Sequence, residues 1–262
     1  KIMAVSVDTV YQRVLALANK EQRGYIPPVK FNLFANQAQM DIFEQYFYDR
    51  AQFGRRNGNQ TVVADPIDIL QEKISNFQTY DKVATVLNNF GDVNLNIDFD
   101  NFYRLEMVRV DYEALRGFRK AEHVELKDLS NIGLSPLLDW SQNYPVYTHY
   151  TAGGNFDRNR IKVYPYPRAS TLINPLTNKP FDRVLVSYIR IPKKVEWSGL
   201  DTNGTTNPVY NSGLSSDFDL HGSEEKKLVI KILQLAAIAM KDNNLLSIAS
   251  QEDIKNIQQE KQ

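Results

Sequence analysis

The stretch Tyr103-Arg-Leu-Glu-Met-Val-Arg-Val-Asp-Tyr112 decides the fold. Its apolar side chains fall at every second position, the period of a strand rather than of a helix. They run first as Tyr103, Leu105 and Met107, then as Val108, Val110 and Tyr112. That one-residue slip predicts a β-bulge or a strand buried on both faces. Upstream, Val83, Thr85 and Leu87 alternate, as do Val93, Leu95 and Ile97, with the turn-forming Asn88-Asn-Phe-Gly91 between them. This reads as a hairpin. Downstream, residues 121–143 read as mixed sequence with one short helix, and Val146, Thr148 and Tyr150 pair with Ile161 and Val163 across a Gly153-Gly154-Asn155 turn. A further strand is expected over Arg183–Ile191.

Outside this block the period changes to that of a helix. Val7, Val10, Tyr11, Val14, Leu17 and Ala18 place one apolar stripe on residues 7–20, with Ser6 or Asp8 as the cap. A longer helix is expected from Pro28 to about Phe53. It carries two stripes: Phe31, Phe34, Ala35, Ala38, Ile42 and Tyr46 on one side, Leu33, Met40, Phe43 and Phe47 on the other. A helix apolar on two sides is either central in a bundle or touches another chain. Asp65-Pro66 opens a third helix carrying Ile67, Leu70, Ile74 and Phe77. The last begins near Ser223 with Glu224 and Glu225 in its first turn, favoured by the positive helix end. It is interrupted at Asp242-Asn-Asn244 and continues through Leu246, Ala249, Ile254 and Ile257.

Strands that cluster instead of alternating with helices predict an α+β fold. The expected architecture is a helical bundle from the N-terminal helices and the C-terminal helix, with a central antiparallel β-rich domain. The expected divisions are 1–80 helical, 81–197 β-rich, 198–222 a polar loop or arm, and 223–262 the C-terminal helix, packed on the N-terminal ones.

Composition narrows the function classes. The 262 residues carry 31 basic and 31 acidic side chains. The balance holds locally, with nine basic and eight acidic groups in 1–80, sixteen and seventeen in 81–222, and six of each in 223–262. No segment supplies the concentrated positive field that displaces counterions from nucleic acid. The absence of cysteine removes disulfides, thiolate catalysis and cysteine-ligated metals. With no signal-peptide pattern at the first residues, it points to assembly inside a cell. No apolar run approaches the ~20 residues of a membrane-spanning helix.

Standard site motifs are missing: there is no GxGxxG, GxxxxGK[ST], HExxH or GxSxG. His123, His149 and His221 lie in separate regions, so catalytic, metal and cofactor roles are all expected to be none. Asp98 and Asp100 read as solvent-facing carboxylates at a strand end rather than as an acid–base pair. Arg116, Arg119 and Lys120 flank Phe118, but Glu113, Glu122 and Glu125 oppose a phosphate site there. Arg55 and Arg56 are expected in a loop facing solvent, and Asn59 and Asn203 open glycosylation-like triplets. Tyr144, Tyr147, Tyr150, Tyr164, Tyr166 and Tyr188 crowd the β-rich middle, as suits half-buried sheets and protein contacts.

Several phrases resemble a known family. Val10-Tyr-Gln-Arg-Val-Leu-Ala-Leu-Ala18 and Asn32-Leu-Phe-Ala-Asn-Gln-Ala38 are similar to the opening of a virion structural protein of tailed phages, marine and crAss-like ones especially. Pro145-Val-Tyr147, Ile161-Lys-Val-Tyr-Pro165, Val186-Ser-Tyr-Ile-Arg-Ile-Pro192 and Asp217-Phe-Asp-Leu220 resemble the β-domain and the ending of phage head–tail adaptor proteins, of the tail tubular or gatekeeper type. The long polar loop 198–216 departs from that pattern. The resemblance implies a homo-oligomeric ring, twelve subunits by the portal's symmetry. It would be stacked on the portal protein and adjacent neck and tail proteins, with DNA only as passing cargo and no membrane. Its place would be the virion neck, after assembly in the host cytoplasm.

On that reading Leu246, Ala249, Ile254 and Ile257 form a docking interface, since a weakly amphipathic helix needs a partner groove to be worth ordering. The alternative is a tail-associated receptor- or glycan-binding protein using the tyrosines between Tyr144 and Tyr166. An enzyme would at least need His123, His149 and a carboxylate in one pocket.

Overall fold

The structure, a computed structural model, describes residues 4–18, 26–55, 64–95, 101–113, 117–134, 139–150, 159–169, 171–175, 178–180, 182–200, 209–240 and 243–260. The chain forms two compact units, one of residues 1–76 and 192–262, the other of 77–191. The fold is α+β, with a helical bundle built from both chain ends and a central β unit.

In the first unit, α1 (Val7–Ala18) and α2 (Pro28–Arg55) pack on α5 (Glu225–Met240), α3 (Ala64–Ser75) packs on α2, and α6 (Asn243–Glu260) packs on α5. Pro28 opens α2 as expected, because its missing N–H falls where no helical partner exists. Val10, Val14, Phe31, Ala35, Ile42 and Phe43 are fully buried with Leu228 and Ile232. Burial of each larger side chain contributes about 1.5–3 kcal/mol. The two stripes of α2 therefore part ways. The first enters the bundle and takes Phe43 with it, whereas Leu33 stays exposed.

Residues 193–197 belong to this unit, not to the β-rich part where the periodicity places them. They run beside α2, and three α2 amides at helical spacing bond their backbone. Trp197 N donates to Asn32 Oδ1 (2.8 Å) and Asn32 Nδ2 to Trp197 O (3.0 Å). Val195 N donates to Asn36 Oδ1 and Asn36 Nδ2 to Val195 O, both at 2.8 Å. Gln39 Nε2 donates to Lys193 O (2.8 Å), while its Oε1 accepts from Asp219 N (3.0 Å). Trp197 then packs on Tyr11 (ring centroids 4.7 Å) and donates Nε1–H to Asp8 Oδ1 (3.0 Å).

The expected polar arm at 198–222 also carries structure. Gly199–Leu200 (β11) pairs with Val209–Tyr210 (β12), and Phe218–His221 (β13) pairs with Ala4–Val5 (β1). Three of these strands have two residues, too short to print an alternation on the sequence, whereas β13 has four, with Phe218 and Leu220 buried. Asp217 Oδ1 accepts from Val7 N (2.9 Å), adding a long-range cap to the start of α1 beside Ser6. Asn32 and Asn36 of the phrase Asn32-Leu-Phe-Ala-Asn-Gln-Ala38, and Asp217 and Asp219 of Asp217-Phe-Asp-Leu220, are used here as internal stitching.

The second unit is a curled seven-stranded sheet ordered β2-β10-β4-β5-β6-β7-β3. Its strands are Gln78–Ala84 (β2), Asp92–Asn94 (β3), Phe102–Asp111 (β4), Arg119–His123 (β5), Val146–Tyr150 (β6), Arg160–Tyr164 (β7) and Arg183–Arg190 (β10), while Ile173–Asn174 (β8) and Lys179–Pro180 (β9) pair with each other apart from it. All neighbours are antiparallel except β5 and β6, a short parallel seam that makes the sheet mixed. The slip in the opening stretch is a bulge. Met107 faces Ser187 and Leu105 faces Tyr188, leaving Glu106 as the extra residue of β4. On the other side of β10, β2 bulges at the same height, where Asp81 has φ 54° and its N–H donates to Ser187 Oγ (3.2 Å).

The expected hairpin of 83–87 with 93–97 is present at its turn and shorter than expected. Across Asn88–Gly91, Val86 bridges Val93 antiparallel and Leu87 N donates to Asp92 O (2.8 Å), whereas β2 itself pairs along its length with β10. That bridge brings the two ends of the sheet order together. Val86, Val93, Val108, Val110, Ile161, Val163, Val184 and Val186 are buried in the core it closes. The short helix expected within 121–143 is Leu126–Leu134 (α4).

Candidate functional site

Two surface features stand out, one in each unit. In the helical unit, Val29 and Leu33 lie one turn apart on α2 and are 81% and 66% exposed. On α6, Ala249 is buried and its carbonyl accepts from Gln234 Nε2 of α5 (3.2 Å), while Asp253 lies 3.8 Å from Lys231. Ile248 and Ile254 turn away from that face and stay largely exposed. Of the four expected docking residues, Ala249 is thus spent within the chain and Ile254 is open to solvent. Leu246 and Ile257 lie on the α6 backbone, their side chains outside the described residues.

In the β unit, an aromatic corner stands on the outward face of β3 and β7. The alternation that sends Ile161 and Val163 into the core turns Lys162 and Tyr164 to the other face, where Lys162 is half-buried and Tyr164 is covered by its neighbours. Phe90 projects from the turn before β3 and Tyr166 follows β7. Their rings meet edge-on (centroids 6.1 Å, 82°), 60% and 46% exposed respectively. Behind Tyr166 stand Tyr164 (5.1 Å) and then Trp140 (5.1 Å from Tyr164). Lys162 Nζ lies 5.8, 6.0 and 5.4 Å from the ring centres of Phe90, Tyr164 and Tyr166. Burial, together with the neighbouring Tyr166 and Asp92, pushes the Tyr164 hydroxyl up to about 12, so it stays protonated at neutral pH. The turn is rigid. Asn88 Oδ1 accepts from Phe90 N (3.0 Å) and Asp92 N (3.3 Å), and Asn88 Nδ2 donates to Asp92 Oδ2 (2.7 Å).

Of this corner the sequence reading held Tyr164 and Tyr166 but not Phe90 or Lys162. The available signal was an aromatic residue in a turn, where burial does not explain it.

Folding also brings two of the three histidines together. The His123 and His149 rings lie 5.3 Å apart, each beside Tyr147. Burial and then the His123 charge lower the His149 pKa. An open pocket of about 430 Å³ is lined by His123 with Glu106, Lys120, Glu122 and Tyr147; His149 is not among its lining. His221 is elsewhere, its Nδ1 accepting from Ser223 N (3.2 Å) at the start of the turn into α5. Among the described residues no three His, Cys, Asp or Glu side chains gather as a metal ion would require. No described helix is long and apolar enough to cross a membrane.

Phe118 lies between two guanidiniums, 5.3 Å from Arg109 and 5.4 Å from Arg183, and these pair with Asp81 and Asp111. Both charges of that patch are therefore answered locally. Asp98, Asp100, Arg116, Arg56, Asn59 and Asn203 lie outside the described residues; Arg55 ends α2, its side chain likewise outside them. No protein-family model matches the chain, and no curated protein matches it.

Proposed function

We propose that this chain is a structural, non-enzymatic virion protein. In this reading it forms a homo-oligomeric ring in the head–tail connector of a tailed phage, between the portal protein and the tail components. The observation that carries the reading is the apolar face left open on the bundle by Val29 and Leu33, one turn apart on α2, with Ile248 and Ile254 exposed on the two flanks of α6. Exposed apolar residues grouped on helices mark contact surfaces when solvation alone would bury them. A ring uses two such patches, one for each neighbour. The phrase-level likeness to head–tail adaptors supplies the setting, and the twelve subunits come from that likeness.

The test is Leu33→Glu combined with Ile254→Glu. Both sites are exposed, so a subunit with unchanged thermal melting and loss of incorporation into particles is expected. Normal incorporation of the variant would overturn the reading.

A second reading, a tail-associated glycan-binding protein, is favoured by one observation: the aromatic corner of Phe90 and Tyr166 is held open to solvent by a rigid turn.

A further inference from the structure

We propose that the corner of Phe90, Tyr166 and Lys162 binds a carboxylated pyranose, a uronate or sialate unit of an acidic polysaccharide. The proposal rests on the glycan-binding reading and not on the ring. Its first support is apolar. Gly91 (φ 73°) has no room for a side chain, since a Cβ there would lie 2.4 Å from Val163 O. With the Asn88 hydrogen bonds this fixes Phe90 in water, beside the ring of Tyr166 at 82°. Aromatic surface held rigid and solvated loses little freedom when a ligand covers it.

The second support is charge. Asp92 Oδ1 is 4.0 Å from Lys162 Nζ, an ion contact longer than a hydrogen bond. The other Asp92 oxygen is engaged by Asn88. The ammonium thus does not spend its hydrogens on Asp92, and it stands against both exposed rings. A pyranose presents C–H groups of slight positive polarity to the negative ring face. Its carboxylate would meet Lys162 in a charge-assisted hydrogen bond. A neutral sugar leaves the ammonium without that acceptor. An acidic peptide supplies the charge without the stiff C–H face.

The experiment is calorimetric titration of the full chain with a galacturonate hexamer, a sialate hexamer and maltohexaose. Saturable binding of at least one acidic hexamer is expected, at least about tenfold tighter than maltohexaose. Which of the two binds identifies the source of the carboxylate. Lys162→Gln should erase that preference, and Lys162→Arg, which keeps the cation against Asp92, should retain it. Phe90→Ala should abolish binding with unchanged melting, because that ring is largely exposed. Equal affinity for maltohexaose, or an undiminished preference in Lys162→Gln, would overturn the acidic-sugar assignment and leave a glycan site standing. Binding of none of the three would overturn the glycan reading with it and make the corner a protein-contact face.

Discussion

Asn36 and Val195 are joined through both ends of one amide: Val195 N–H donates to Asn36 Oδ1 and Asn36 Nδ2 donates to Val195 O, each at 2.8 Å. The side chain stands in for a neighbouring strand, giving an extended segment its partners from a helix. Asn32 repeats the arrangement one turn earlier, and Gln39, one turn later, donates to Lys193 O while its oxygen accepts from Asp219 N.

Asn36→Ala therefore strands a backbone donor and acceptor at a part-buried site. A loss of about 2–3 kcal/mol is expected, since each unsatisfied group costs about 1–3 kcal/mol. Urea unfolding measures it. Asn36→Asp, which keeps the acceptor and loses the donor, should not restore the wild-type midpoint.

Glu224 is almost fully buried and bonded by Lys73 at 2.5 Å, with Lys73 also 5.7 Å above the Tyr46 ring. Lys73→Met leaves a buried carboxylate without its cation, which costs about 3–5 kcal/mol. The double variant with Glu224→Gln should recover part of that loss in the same unfolding assay, because no charge then remains uncompensated.

Gly91→Ala places a methyl group 2.4 Å from Val163 O at a φ of 73°. Backbone strain of this kind costs about 1–3 kcal/mol, and the clash adds to it. Thermal melting should fall accordingly. Sugar binding at the corner should weaken too, because the same turn positions Phe90.

His149 has its pKa lowered by burial and by His123. The folded state therefore holds fewer protons than the unfolded chain over that window. The stability tied to neutral His149 is complete above the ordinary imidazole value of 6.5 and is lost as pH falls toward the lowered one. Melts from pH 8 to pH 5 should show a decline that begins near 6.5 and is flattened in His149→Phe.

The long strands were legible because each is half of a buried alternation. Val108, Val110 and Tyr112 against Val184, Val186 and Tyr188 print a period of two, and even the Glu106 bulge shows as a slip in phase. Partnership was not legible. β2 finds β10 about a hundred residues away, and nothing in the period of Val83 and Thr85 distinguishes that from the hairpin nearby. Residues 193–197 continue the alternation of a strand, with Val195 and Trp197 buried and Lys194 and Glu196 exposed. Yet their hydrogen bonds come from side chains of α2, which is why the sequence places the unit boundary too late. The aromatic corner needs the Asp92↔Lys162 register, which only the folded sheet sets. Likewise, the β5–β6 seam that puts His123 opposite Tyr147 brings together histidines that look isolated in the chain.

Immunogold electron microscopy of phage particles, with antibody against this chain, tests the connector reading most directly. Gold at the head–tail junction is the expected result. Gold on fibres or at the tail tip, or label confined to soluble material, would contradict it.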